Sequence, residues 1–207
     1  MPLELHPATE VDMQRAVDIE AAAYAPSPFN KVLFPGPFPP DVKTERVASL
    51  VKELQEKPVI NRWVKVIDTD MQGEQTIATA QWYFYTEKPD PSQARTFGPG
   101  CNVEACEMLF GGIAKKRERL MGERPYAYLR LLQTDPEHQR RGAGRMLVEW
   151  GIEEAKKLGL VAYLESSPEG HEMYKKCGFR DLELTELDMS KWGATSKHQN
   201  WSMICEP

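Results

Sequence analysis

Apolar positions along this chain switch repeatedly between a period of two and a period of 3.6, and the switches mark out its elements. Residues 3–7 read as a short strand. Thr9, with Asp12 three residues on, reads as the N-cap of a helix over about 11–24. Between residues 26 and 40 six prolines alternate with Phe29, Leu33, Phe34 and Phe38, a composition that predicts a stiff apolar loop and no regular helix. A second helix is expected over 41–56. Two antiparallel strands follow at 63–68 and 76–86, joined around Met71-Gln72-Gly73-Glu74. In the second of them Ile77, Thr79, Gln81, Tyr83 and Tyr85 alternate with Ala78, Ala80, Trp82 and Phe84, so its two faces pack differently. Residues 87–100 read as a loop. Residues 102–121 read as a helix, with a bend at Gly111-Gly112.

The second half is more regular. Residues 126–134 form an aromatic and aliphatic strand closed by Asp135-Pro136. Ala143, Leu147, Trp150, Ala155 and Leu158 then recur at helical spacing, Glu149, Glu153, Lys156 and Lys157 fill the other face, and Gly159 stops the helix. A strand at 160–165, a short helix at 170–177 closed by Gly178, and strands at 179–184 and 201–206 complete the chain. The order predicts an α+β fold with a mixed sheet.

Between strand and helix lies Gln139-Arg140-Arg141-Gly142-Ala143-Gly144. Unpaired amides and the helix dipole at such a turn attract an anion, and glycines let it approach the backbone. With Arg140, Arg141 and Arg145 grouped there, the turn suits a polyphosphate. It lacks the second half of a dinucleotide-binding glycine pattern and the Lys-Ser/Thr of a Walker loop. The Gln-x-x-Gly-x-Gly spacing, followed by Tyr174-Lys175-Lys176-Cys177-Gly178-Phe179, resembles the GNAT superfamily of acyl-CoA-dependent N-acyltransferases over residues 126–179. That resemblance implies a GNAT-like, mostly antiparallel sheet flanked by helices, in a single domain over 1–207 with its cofactor core at about 126–185. The chain exceeds the family's compact core mainly at 26–40 and 87–122.

The resemblance also implies roles. Acetyl-CoA is the co-substrate, with its pyrophosphate on Gln139, Arg140, Arg141, Gly142, Ala143 and Gly144. Its pantetheine runs along Leu132, Gln133 and Thr134 through main-chain groups, and the Leu132 amide faces the thioester oxygen. Tyr174 matches the tyrosine that serves the departing thiolate. A phenol near pKa 10 and a thiol near 8.5 make full proton transfer uphill by roughly 2 kcal/mol, so Tyr174 is expected to act as a hydrogen-bond donor. Its other reading is a packing residue. Where some relatives carry a carboxylate on the strand before the cradle, this chain has Tyr128, and Glu165 is the nearest substitute as base; a solvated strand-end carboxylate is the alternative. Ser166-Ser167-Pro168-Glu169-Gly170 is shorter than the link that carries a cofactor-contacting asparagine in many relatives, leaving Ser167 as its replacement.

The remaining candidates are more open. His138 is a turn histidine or a phosphate contact, and His171 is one helical turn from Tyr174 and could orient it. Lys115-Lys116-Arg117-Glu118-Arg119 reads as a solvated face. Phe29, Phe34 and Phe38 are either a satellite core or the wall of an acceptor pocket, with the pocket favoured.

Composition narrows the classes. Of 207 residues, 41% are hydrophobic and 28% charged, which suits one globular domain. A net charge of −5 and a pI near 5.5 argue against nucleic acid as a partner. Cys101, Cys106, Cys177 and Cys205 lack zinc spacing, so no metal is expected and the thiols are read as reduced. No leader or membrane span is evident, which makes the cytoplasm the expected location, with the nucleus as a second compartment. The expected function is N-acetyl transfer from acetyl-CoA to a primary amine by direct attack, since no cysteine sits in a nucleophile's context. A small amine or amino-acid-like acceptor is favoured. Protein N-terminal or lysine acetylation is the alternative, and a non-catalytic CoA-binding sensor a third reading. A monomer or homodimer is expected.

Overall fold

The structure, a computed structural model, describes residues 2–73, 75–89 and 96–207. Seven strands form one sheet: β1 (Leu3–Pro7), β2 (Asn61–Asp68), β3 (Thr76–Tyr85), β4 (Tyr126–Thr134), β5 (Val161–Ser166), β6 (Arg180–Leu187) and β7 (His198–Cys205). Their order is β1-β2-β3-β4-β5-β7-β6, antiparallel throughout except for the β4–β5 pair. Mixed and mostly antiparallel, this is the sheet expected from the sequence. Among the described residues no helix is long and apolar enough to cross a membrane.

Both faces are covered, which is why β3 is buried along almost its whole length. On one face α6 (Ala143–Lys157) lays Leu147, Val148 and Ala155 against Trp82, Phe84, Leu129 and Leu164. On the other, α1 (Met13–Tyr24) and α3 (Val42–Glu56) pack Met13, Ala16, Val17 and Leu50 against Trp63. Thr9 does begin the first helix: its amide donates to Asp12 Oδ2 at 2.8 Å, over a 3-10 turn at Glu10–Asp12.

Four local expectations are corrected. The proline-rich segment contains a helix, α2 (Pro28–Leu33), because its prolines flank the turn and Pro28 sits in the first turn, where no amide partner is lost. The helix expected at 102–121 runs as α4 (Val103–Cys106), a π turn (Glu107–Gly111) and α5 (Gly112–Met121). Gly111 and Gly112 are both right-handed helical there, so the irregularity is the π turn that precedes Gly112. The buried stripe of α6 includes Val148 and Gly151, whereas Leu158 is 40% exposed. The short helix, α7 (Pro168–Lys176), starts two residues early because Ser167-Pro168 supplies its N-cap and first turn. Part of the loop expected at 87–100, residues 90–95, lies outside the described residues, as does Glu74 of the expected turn.

Candidate active site

Strands β4 and β5 pair only from Tyr126↔Val161 to Leu129↔Leu164. Beyond that point β5 continues beside β7, while β4 runs on to Thr134 paired with β3 alone. A bulge helps the two diverge: Trp82 faces Leu129 and Gln81 faces Leu131, so Arg130 is the extra residue. The β4 edge over 130–134 therefore has no strand beside it, and the split opens onto the N-terminus of α6. Gly142 is the N-cap of α6 at φ 94°, and Arg140 also has a positive φ of 61°. Both ends of the turn are braced. Arg15 Nη2 meets Asp135 Oδ2 at 2.6 Å, and Arg141 Nη2 meets Asp68 Oδ2 at 2.7 Å.

A long cleft follows this split. Leu132, Gln133 and Thr134 border it on the β4 side, and Gln139, Arg140, Gly142, Ala143 and Gly144 at the helix start. Ser167, the N-cap of α7, borders it opposite. One side chain departs from expectation. Arg141 does not border the cleft: Asp68 and the ring of His138 (3.2 Å) hold its guanidinium, and in return it keeps the Asp68 carboxyl below the usual range. It braces the cradle to β2. His138 is thereby a partner of that brace. Gln133 turns its side chain into the protein, donating to the Ala16 carbonyl at 3.1 Å.

Tyr174 stands across the split on α7, buried and bordering the cleft. Its ring packs edge-on to Phe179 and directly over Gly170, where an added Cβ would come within 2.7 Å. Burial, with the neighbouring Tyr24 and Cys177 adding to it, pushes its hydroxyl well above the ordinary phenol range. Such a group keeps its proton and offers it as a hydrogen bond. His171 does not orient it, because that ring pairs with Asp181 Oδ1 at 2.7 Å and stacks on Trp201.

Glu165 is the first residue of β5 past the last β4 pair, and its carboxylate borders the cleft. It is no solvated strand end. Arg117 Nη1 lies 3.2 Å from Oε1, and the Tyr128 and Tyr163 phenols face the carboxylate. Burial raises its pKa, against the pull of Arg117 and those hydrogen bonds. The basic run 115–119 is thus only partly solvated: Arg117 turns in over the Tyr128 ring at 4.2 Å, and Lys116 turns toward Glu183 at 3.5 Å.

Sequence reasoning missed three groups. Glu53 of α3 receives Arg130 at 2.8 Å and the Tyr83 hydroxyl on the cleft wall; Arg130, a charge in an apolar strand, was the available signal. His198 and Asn200 border the cleft because β7 starts earlier than expected. Burial holds the His198 ring below its usual pKa, against Glu169, and Phe29 packs on its edge at 4.8 Å. Phe29 and Phe34 pack onto a satellite core around Leu33 and Leu109, and both border the cleft beside Phe38.

Known proteins resemble this chain in sequence or in fold. Over 93 residues the chain is 30% identical to "Probable acyltransferase SID5" of Ajellomyces capsulatus, a match that spans 45% of this chain and 61% of that relative. The fold is similar to mosquito arylalkylamine N-acetyltransferase like 5b, at 12% identity and TM-score 0.68, with 99% of this chain and 100% of that one covered. It is also similar to yncA of Salmonella typhimurium, solved with its cofactor acetyl-CoA, at 14% identity and TM-score 0.61, with 100% and 94% covered. The pattern that defines the acetyltransferase (GNAT) family matches residues 69–179, over half of the chain and all of the cradle, and the chain belongs to that family.

Proposed function

We propose that this protein is an acetyl-CoA-dependent N-acetyltransferase that passes the acetyl group directly to the primary amine of a small acceptor. The observation that carries this reading is the glycine-capped start of α6 at the open edge of β4, with Tyr174 facing it across the split. Amides at the α6 N-terminus, with Arg140 beside them, suit the pyrophosphate, and the β4 edge at Leu132, Gln133 and Thr134 suits an extended pantetheine. Gly144 leaves this part of the cleft without a side chain, although a Cβ there would make only ordinary contacts, at 3.6 Å, with Leu132 and Thr134. The bound group supplies an activated acetyl thioester.

The chain's own residues would then manage charge. A main-chain amide of β4, that of Leu132, stabilises the developing oxyanion. The amine lone pair forms the new C–N bond as the C–S bond breaks. Glu165 takes the proton the amine loses, and Tyr174 hydrogen-bonds the departing thiolate, which gains a proton from solvent. Burial raises the pKa of the half-buried Cys177 thiol, with Glu149 adding to it, and Cys177 does not border the cleft. Cys101 does border the cleft, but it packs on the satellite core around Leu33 and Leu109, so direct transfer suits the site better than a cysteine-bound intermediate. The aromatic wall of Phe29, Phe34 and Phe38 favours a small acceptor with an apolar body over a protein chain.

The test is thiol release from acetyl-CoA with a panel of small amines, a free peptide N-terminus and a peptide lysine. Release with a small amine is expected. Tyr174→Phe should then lower turnover about 100-fold while leaving acetyl-CoA affinity unchanged. Turnover within about threefold of the parent would make Tyr174 a packing residue. If acetyl-CoA binds but no acceptor releases thiol, a CoA-binding module replaces the enzyme.

A further inference from the structure

We propose that Arg117, carried on α5, is a positioning residue that keeps the Glu165 carboxylate ionised and aimed into the split. The inference rests on the proton-accepting role proposed for Glu165. Its guanidinium is wedged between two groups, Oε1 of Glu165 at 3.2 Å and the Tyr128 ring at 4.2 Å, with only 15% of the side chain exposed. The neighbouring turns are anchored too. Lys116 and Arg119 both reach Glu183 of β6, so α5 is tied to β5 and β6 by ion pairs from Lys116, Arg117 and Arg119. The placement is therefore held by more than the pair itself.

The physical need is specific. A buried carboxylate deprived of a counter-charge takes up a proton, and a protonated carboxyl cannot accept another. The groups facing Glu165 are Tyr126 and Tyr128 from β4, Tyr163 from its own strand, Ser202 opposite it on β7, and Arg117 from α5. Arg117 is the charged one among these. The phenols can donate hydrogen bonds, but a cation within about 4–6 Å shifts a carboxyl by about 1–3 pH units. That range decides whether Glu165 is a base near neutral pH. The planar guanidinium suits the position, since it can stack on a phenol while donating in its own plane.

The experiment is a carboxyl ¹³C NMR titration of glutamate-labelled protein, with Glu165→Gln identifying the resonance, alongside turnover on the best acceptor of the amine panel. In Arg117→Gln the Glu165 midpoint should rise by about one pH unit or more. Turnover at pH 7 should fall about 10-fold, recover in part as pH is raised, and leave the KM for acetyl-CoA unchanged. Arg117→Lys should restore most of the midpoint. Arg117→Met, which keeps the stem on Tyr128, carries the same readout should Arg117→Gln not fold. An unmoved midpoint in a folded charge-neutral variant overturns the role of Arg117 while leaving Glu165 as base. Parent-like turnover in Glu165→Gln removes the base and this proposal with it.

Discussion

Gly142 and Gly144 are two residues apart in the cradle, and the structure separates the reasons for them. Gly142 sits at φ 94°, a backbone that side chains other than glycine rarely adopt, and its Cβ would meet nothing. Gly144 has no such backbone constraint, and a Cβ there would make ordinary contacts at 3.6 Å. Its freedom from a side chain matters for what enters the cleft. Gly144→Val is therefore expected to keep the far-UV spectrum and melting behaviour of the parent while losing acetyl-CoA affinity by about 10-fold or more in calorimetry. Parent-like affinity in that folded variant would mean that the phosphates sit elsewhere. At this scale the glycines and Tyr174 were legible, because a turn and a helix start are local. Arg141 was not: its partner Asp68 lies at the end of β2, more than 70 residues away, and spacing alone assigned it to the phosphates.

Elements were legible wherever one face was clearly apolar, and were misread where packing set the detail. Within α6, the sequence stripe passed over Gly151, yet this glycine is buried against the indole of Trp82, and an added Cβ would overlap that ring. Trp82 also donates through Nε1 to the Leu147 carbonyl at 3.3 Å, so the indole cannot move aside without losing that bond. Alanine favours a helix more than glycine does by about 1 kcal/mol, which would ordinarily make Gly151→Ala stabilising. Overpacking should reverse the sign. The expected result is a net loss of about 1–3 kcal/mol in urea denaturation, and a variant more stable than the parent would mean that α6 can lift off the sheet freely. The proline-rich segment went the other way. Composition excluded a helix, but prolines confined to its flanks and first turn left six residues free to form α2.

Across the whole molecule, pairs of charges from distant parts of the chain hold the cleft walls. Glu53 of α3 and Arg130 of β4 are one such pair. Burial alone would raise the Glu53 carboxyl, but Arg130 and the hydrogen bonds from Tyr83 and Gln81 outweigh it and bring the pKa below the usual value. A carboxyl lowered in the folded state adds stability above its unfolded value, about 4.3, and the addition is lost as pH falls through the folded value. Glu53→Gln should thus be less stable than the parent at pH 6 by about 1 kcal/mol, after allowance for the solvent reaching this half-buried pair. The difference should close as pH falls from about 4.3 through the lowered folded value. A gap that stays constant over that range would assign the loss to packing.

The sequence by itself determined the class of fold, the order of its strands and of its helices apart from α2, and the glycine-bearing turn that opens α6, because periodicity, caps and glycine spacing act over a few residues. It also brought Tyr174 and Glu165 forward as candidates. Only the tertiary structure decided how these parts meet. The split between β4 and β5 depends on β7 pairing beside β5 and on the bulge at Arg130. The companions of Glu165 come from α5, β4 and its own strand, and Glu53 reaches Arg130 across α3 and β4. Apart from Arg130, a charge in an apolar strand, such contacts carry no local signature, since a charge in a polar run reads as solvated until a sheet is found beneath it.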